Sequence, residues 1–148
     1  MKKSRRAAAG RRSDCPIANA LDLLGDRWSL LIIRDLVFRG FREFGQFLAG
    51  GEGISTNILA ERLERLQCAG LIVRSDHPMD GKKYVYRLTE KGIDLIPVLL
   101  QLTLWGARYT PDHAAPAEIL REMQANPERM VAGLRASLLK ELAANSKR

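Results

Sequence analysis

Apolar residues recur at helical spacing through the first half of the chain and at strand spacing just past its middle. Ile17, Leu21 and Leu24 fall at i, i+4 and i+7, one stripe that begins behind Asp14-Cys15-Pro16 and stops at Gly25. Proline at a first helical position with a polar residue before it marks a helix start. Asp26 is placed to cap a second helix over residues 28–38, apolar nearly all round as the central helix of a small bundle is. Arg39-Gly40 breaks it. A shorter helix is predicted over residues 42–49, with Phe44, Phe47 and Leu48 on one side, and Gly50-Gly51-Glu52-Gly53 forms a turn. Ser55 then caps a fourth helix. Ile54 and Leu59 are spaced for a hydrophobic staple, Leu59, Leu63 and Leu66 make its inner face, and Ala69-Gly70 ends it.

Beyond Gly70 the period shortens. Leu71-Ile72-Val73-Arg74 and Tyr84-Val85-Tyr86-Arg87-Leu88 are β-branched or aromatic runs flanking residues 77–83, where Asp80-Gly81 suggests a tight reversal. They predict a two-stranded hairpin with a basic tip. Thr89 caps a long helix to about Trp105-Gly106, kinked at Pro97, and two more helical stretches follow Pro111 and Pro116. The last carries Met130, Leu134, Leu138 and Leu142 at four-residue spacing. No internal repeat interrupts this order. The expected fold class is mainly α (α+β): a winged helix-turn-helix with a two-stranded wing and extra C-terminal helices, assembled as a homodimer. The expected organisation is a flexible basic arm over residues 1–14, the winged domain over 15–106 and a helical extension over 107–148.

Composition narrows the class without changing the fold. A chain of 148 residues supports one hydrophobic core, and 46% apolar with 28% charged residues is ordinary globular usage. No run approaches the roughly 18 apolar residues of a membrane span, and no apolar stretch follows the basic N-terminus as in a secretory signal. Cys15 and Cys68 match no zinc or CxxC spacing, so a reduced cytoplasmic setting is the simplest expectation. The net charge of +7 and pI near 9.8 point to an anionic partner. Residues 1–14 carry +5 of that charge, so most of the excess sits in the arm.

The predicted elements fit double-stranded DNA. The major groove, about 12 Å wide, admits one helix, which needs an apolar back and a small polar front. Ser55, Thr56 and Asn57 stand at the N-terminal end, the end that helix-turn-helix proteins insert. Asn57 can bond adenine in bidentate fashion, Thr56 can meet a thymine methyl or a phosphate, and Glu61, a turn further, can accept from a cytosine amino group. Ser55 is either a phosphate contact or only a cap. Arg62 either reaches a phosphate or pairs with Glu61 or Glu64. Lys82 and Lys83 at the hairpin tip suit backbone clamping, with a plain solvated turn as the rival. Arg42, near the start of the first motif helix, is a further candidate for phosphate.

Residues 15 to about 106 resemble the HxlR-type regulators, a winged-helix group related to the MarR type. The resemblance rests on Cys15-Pro16, Gly25-Asp26-Arg27-Trp28, Arg34-Asp35-Leu36, Phe44-Gly45-Gln46-Phe47, and Gly53-Ile54-Ser55-Thr56-Asn57-Ile58-Leu59. Arg62-Leu63, Ala69-Gly70-Leu71, Tyr86-Arg87-Leu88-Thr89-Glu90-Lys91-Gly92 and the closing Trp105-Gly106 complete it. It implies a homodimer on a palindromic operator and repression or activation of a nearby gene. The wing departs from it: many relatives carry a Pro-x-Arg-Val type of sequence where this chain has Gly81-Lys82-Lys83-Tyr84-Val85. The residues after Pro111 exceed the usual domain.

Ile93, Ile96, Leu99, Leu100, Leu104 and Trp105 offer more apolar surface than one small wing covers, which predicts a two-fold dimer with reading helices about 34 Å apart. The Met130–Leu142 stripe either joins that interface or packs on its own chain. Cys15 is the candidate sensor of an oxidant, electrophile or other small-molecule effector. A helix N-terminus near Arg11 and Arg12 favours the thiolate, Asp14 opposes it, and the resemblance implies such a role at this place. Cys68 is expected in the core. No cofactor or metal is expected: His77 and His113 are isolated, the glycine run lacks the Lys-Ser/Thr of a phosphate loop, and no catalytic set is assembled, so the chain is not expected to be an enzyme. A winged-helix protein-interaction module without DNA binding is the alternative function, and a double-stranded RNA binder a third.

Overall fold

The computed structural model describes residues 12–146, and most of the basic arm lies outside them. The first helix, α1, runs Pro16–Leu24 and buries none of its residues. Helix α2 (Ser29–Arg34) starts where expected: Asp26 Oδ1 accepts from the amides of Trp28 and Ser29 at 2.8 and 3.0 Å, satisfying donors that have no partner within the helix. It widens into a π-helical turn over Asp35–Arg39 and ends at Gly40, whose φ of 66° suits a residue without a Cβ. Ile32, Ile33, Leu36 and Val37 are buried, so this is the central helix of the bundle.

Helix α3 (Phe44–Leu48) is shorter than its pattern suggests. Glu43 and Gln46 form a reciprocal capping box, and Arg42 lies outside the helix. The glycine turn leads to α4 (Thr56–Cys68), where Ser55 Oγ accepts from the Ile58 amide at 3.3 Å and Ile54 and Leu59 are both buried as the staple requires. At its end the Leu71 amide donates to the Leu66 carbonyl and the Gly70 amide to Gln67, both at 2.9 Å, with Gly70 left-handed at φ 71°. This Schellman closure turns the chain into the wing.

The wing is an antiparallel pair, β1 (Ile72–His77) and β2 (Asp80–Leu88), with Ile72 opposite Leu88 and Arg74 opposite Tyr86. Its reversal differs from the sequence expectation. A register shift at Asp76/His77 sets His77 opposite Asp80, so Pro78-Met79 makes the turn and Asp80-Gly81 lies inside β2. Proline's fixed φ suits the first central position of a turn.

The long helix expected from Thr89 is two. Thr89 Oγ1 accepts from the Gly92 amide at 3.2 Å to start α5 (Glu90–Ile93), and after Asp94-Leu95 comes α6 (Ile96–Tyr109). Pro97 has no amide to donate, so it sits in the first turn of α6 instead of kinking a continuous helix. Gly92 lies where any Cβ would run into the carbonyl of Leu71 and the side chain of Leu88, so α5 touches the base of the wing backbone to backbone.

Helices α7 (Ala117–Ala125) and α8 (Pro127–Asn145) fold back onto this frame, α8 lying against α5, α6, α7 and β2. Met123 and Leu138 are buried in the common core, with Leu120, Met130, Val131, Leu134 and Leu139 packed against it. The α8 stripe therefore packs on its own chain. That packing corrects the apolar surface assigned to a partner. Ile93, Ile96, Leu99 and Leu100 are buried within the chain, and the apolar residues α6 leaves exposed are Val98, Leu102, Trp105 (65%) and Tyr109. Cys68 is exposed, not in the core. Among the described residues, no helix is long and apolar enough to cross a membrane.

Candidate nucleic-acid interface

Helix α4 is held rigid from behind and from its flank, and its tip is left bare. Leu59, Leu63 and Leu66 are almost wholly buried. Arg62 Nε donates to Asp26 Oδ1 at 2.9 Å while its Nη1 pairs with Glu61 at 2.6 Å, and an Arg65 Nη2 donates to the carbonyl of Asp22. Asp26 thus caps α2 and grips α4 with one carboxylate. Partial burial pushes its carboxyl up, but hydrogen bonds from the Ser29 hydroxyl, the Trp28 and Ser29 amides and Arg62 outweigh this and hold it at about 2. Of the alternatives the sequence left for Arg62, the structure takes the ion pair with Glu61 and adds Asp26, a partner 36 residues back.

Ser55, Thr56 and Asn57 are all exposed at the N-terminal end of α4. The Ser55 hydroxyl oxygen does the capping, and among the described residues no side-chain hydrogen bond engages Thr56 or Asn57. Glu61 is exposed and shared with Arg62. Lys82 and Lys83 are exposed on β2 just behind the turn, not at its apex, which presents Met79 at 88% exposure. Lys83 Nζ lies 3.6 Å from Glu43 and 3.9 Å from Asp80, loose surface pairs of little energetic weight.

Arg42 is occupied elsewhere. Its Nε and Nη2 donate to the two carboxylate oxygens of Glu141 on α8, each at 2.7 Å, and its Nη1 donates to the carbonyls of Leu36 and Phe41. A guanidinium with this set of acceptors is a cross-link between elements, so the phosphate contact expected of it is withdrawn. Local sequence around residue 42 held no sign of a partner 99 positions away. Arg74 was also not anticipated: its guanidinium stacks 4.0 Å over Tyr84 on the wing. Period-2 spacing across paired strands was the available signal.

Cys15 is exposed at the N-cap of α1. The Arg12 guanidinium, expected beside it, is engaged with Asp22 at 2.8 Å, and Arg11 lies outside the described residues. No three His, Cys, Asp or Glu side chains among the described residues are grouped to hold a metal ion.

The architecture has relatives. A family model described as HxlR-like helix-turn-helix matches residues 23–114. An uncharacterized HTH-type transcriptional regulator of Mycobacterium tuberculosis is 42% identical over 105 residues, 71% of this chain and 65% of that one. The chain thus matches just under two thirds of the length of its mycobacterial relatives. The crystal structure of PA1607, described as a candidate transcription factor, superposes with TM-score 0.63 at 40% identity, covering 71% of this chain and 73% of that one. The transcriptional regulator YodB from Bacillus subtilis, in its reduced form, gives TM-score 0.54 at 32% identity over 68% of this chain and 99% of its own. The matched span excludes Cys15 and ends before α7 and α8.

Proposed function

This chain belongs to the HxlR-like helix-turn-helix family, and from that premise we propose that it is a sequence-specific transcriptional regulator binding a palindromic operator as a homodimer. The observation that carries the proposal is the contrast within α4: a back and flank tied down by leucines, Asp26 and the Asp22 carbonyl, and a front where Thr56 and Asn57 are exposed and, among the described residues, unengaged by side-chain hydrogen bonds. A helix held this rigidly presents its tip to the major groove with little backbone ordering left to do on binding. Asn57 and Thr56 are the proposed base readers, Glu61 an adjacent one, Ser55 the cap with its amide end toward phosphate, and Lys82 and Lys83 the backbone clamps. Arg62 serves the interface by fixing α4 and not by touching DNA.

Exposed apolar side chains support the dimer. Val98, Leu102, Trp105 and Tyr109 form one stripe on α6, and Ile17 and Leu21 another on α1. Water-facing stripes of this kind are covered in assemblies built by two-fold symmetry. The Cys15 thiol is the proposed point of attack for an oxidant or electrophile that alters DNA binding. An electrophile that leaves operator affinity unchanged removes it from that role.

The test is binding to duplexes selected from a random pool. Asn57→Ala is expected to lose about 1–3 kcal/mol of discrimination at one base position in each half-site while nonspecific binding persists. Unchanged sequence choice in that variant overturns the assignment of Asn57, and a wild-type chain indifferent to duplex DNA at low salt overturns the function.

A further inference from the structure

Glu141 sits near the C-terminal end of α8, outside the family-matched span, and touches the helix-turn-helix and the wing together. On one side it receives the bidentate pair of bonds from Arg42, the residue just before the α3 cap. The carbonyl of Arg42 in turn accepts from the amide of Tyr86 on β2 at 2.8 Å. On the other side Arg87 of β2 brings its buried Nε to 3.4 Å from Glu141 Oε1, an ionic approach without hydrogen-bond alignment. Arg87 Nη1 donates to Asn145 Oδ1 at 3.1 Å and to Ser75 Oγ on β1 at 3.0 Å. One carboxylate therefore stands between two guanidiniums from two different parts of the candidate interface.

The side chains of Arg42, Arg87 and Glu141 are only 21%, 21% and 32% exposed, so the cluster is partly desolvated. Bidentate pairing in such a setting fixes orientation far better than a surface ion pair does. Bonds from Arg42 hold the Glu141 carboxyl below the usual carboxylate range, against the opposing effect of burial. The wing is also held at its base by the Thr89 amide on the Leu71 carbonyl, by Tyr86 packed edge-on against Phe47 of α3, and by loose pairs of His77 and Lys83 with Glu43, while Pro78 and Met79 at its turn are exposed.

We propose that Glu141 is a positioning residue for DNA recognition, tying Arg42 to Arg87 across the C-terminal helix and so setting the angle between the wing and α4. The inference rests on the DNA-binding function proposed above. On it, α8 is a working part of the recognition unit, and the wing lies between α3 on one side and α8 on the other.

Glu141→Gln keeps the shape and removes the charge. The expected result has two parts, read by amide hydrogen exchange and by operator binding in the full chain. Exchange of the Tyr86 amide and its β2 neighbours accelerates about tenfold or more while α4 amides hold. The ratio of operator to random-duplex affinity falls by about tenfold with the protein still folded. Unchanged exchange at Tyr86 overturns the tether. Faster exchange with an intact affinity ratio overturns the positioning role and leaves Glu141 a stabilising residue of α8. If Glu141→Gln does not fold, Asn145→Ala removes only one bond to Arg87 and is expected to shift both readouts the same way by less. In that variant unchanged values of both overturn the proposal. A wild-type chain that shows no preference among duplexes fells the function itself, whereas a discriminating wild type with an undisturbed variant fells only this inference.

Discussion

The tip and the body of α4 are parts of one thirteen-residue helix with opposite fates. The body is tied into the molecule: Leu59, Leu63 and Leu66 lie on the core, Arg62 pairs with Asp26 and Glu61, and Arg65 donates to the carbonyl of Asp22. The tip spends almost nothing beyond the Ser55 cap, and Thr56 and Asn57 are left to water. A basic residue near a reading helix is therefore not a phosphate ligand by position alone. Among the described residues, the arginines at the candidate interface are mostly structural ties, and the groups left unengaged there are short polar side chains and lysines.

The largest way to break that contrast is to loosen the body. Leu63→Ala opens a cavity behind α4 and is expected to cost about 2–5 kcal/mol, or roughly 5–15 °C in Tm by calorimetry, whereas Thr56→Ala at the tip leaves Tm within about 1 °C. A similar loss in both variants would abolish the distinction between tip and body.

A smaller effect comes from Asp26. Its folded carboxyl lies below its unfolded value, so its contribution to stability is complete above pH about 4 and is lost as pH falls through about 2. Denaturant titrations across that window are expected to show roughly 1–2 kcal/mol of acid-sensitive stability in the wild type, after allowing for the solvent around the pair, and a flatter profile in Asp26→Asn. Identical profiles would dissolve the tie between α2 and α4.

The smallest expected change sharpens the other side. Lys82→Ala or Lys83→Ala should leave sequence preference alone and reduce the slope of log affinity against log salt by about one unit each. A lost preference at one base position would move that lysine from clamp to reader.

Most of the fold was legible because its signals are local. Asp26, Ser55 and Thr89 each announce a helix start by side-chain chemistry, and Gly70 a stop, so caps and boundaries fell within a residue or two. The wing was visible as a change of period, but its apex was misplaced. Asp80-Gly81 and Pro78-Met79 are both plausible reversals, and the choice is made by pairing across the strands. The apolar count on α5 and α6 was right, and the destination of four of its residues was wrong. Ile93, Ile96, Leu99 and Leu100 are covered within the chain, where α8 packs along the same helices, and periodicity reveals a sticky face without saying what it sticks to. In the candidate site, exposure at Thr56 and Asn57 followed from the helical wheel. The pairing of Arg62 with Glu61 was also in view, but its tie to Asp26 and the duty of Arg42 were not, because Asp26 and Glu141 are 36 and 99 residues distant.

Gly92 carries a consequence for anyone reshaping this scaffold. Because α5 meets the Leu71 carbonyl with no room for even one methyl group, the seam between the wing's root and the helices behind it cannot be widened piecemeal. A library randomised at this codon and screened for folded protein should return glycine almost alone. Grafting a foreign hairpin onto the body would have to carry the Gly70–Gly92 stretch across as a single cassette.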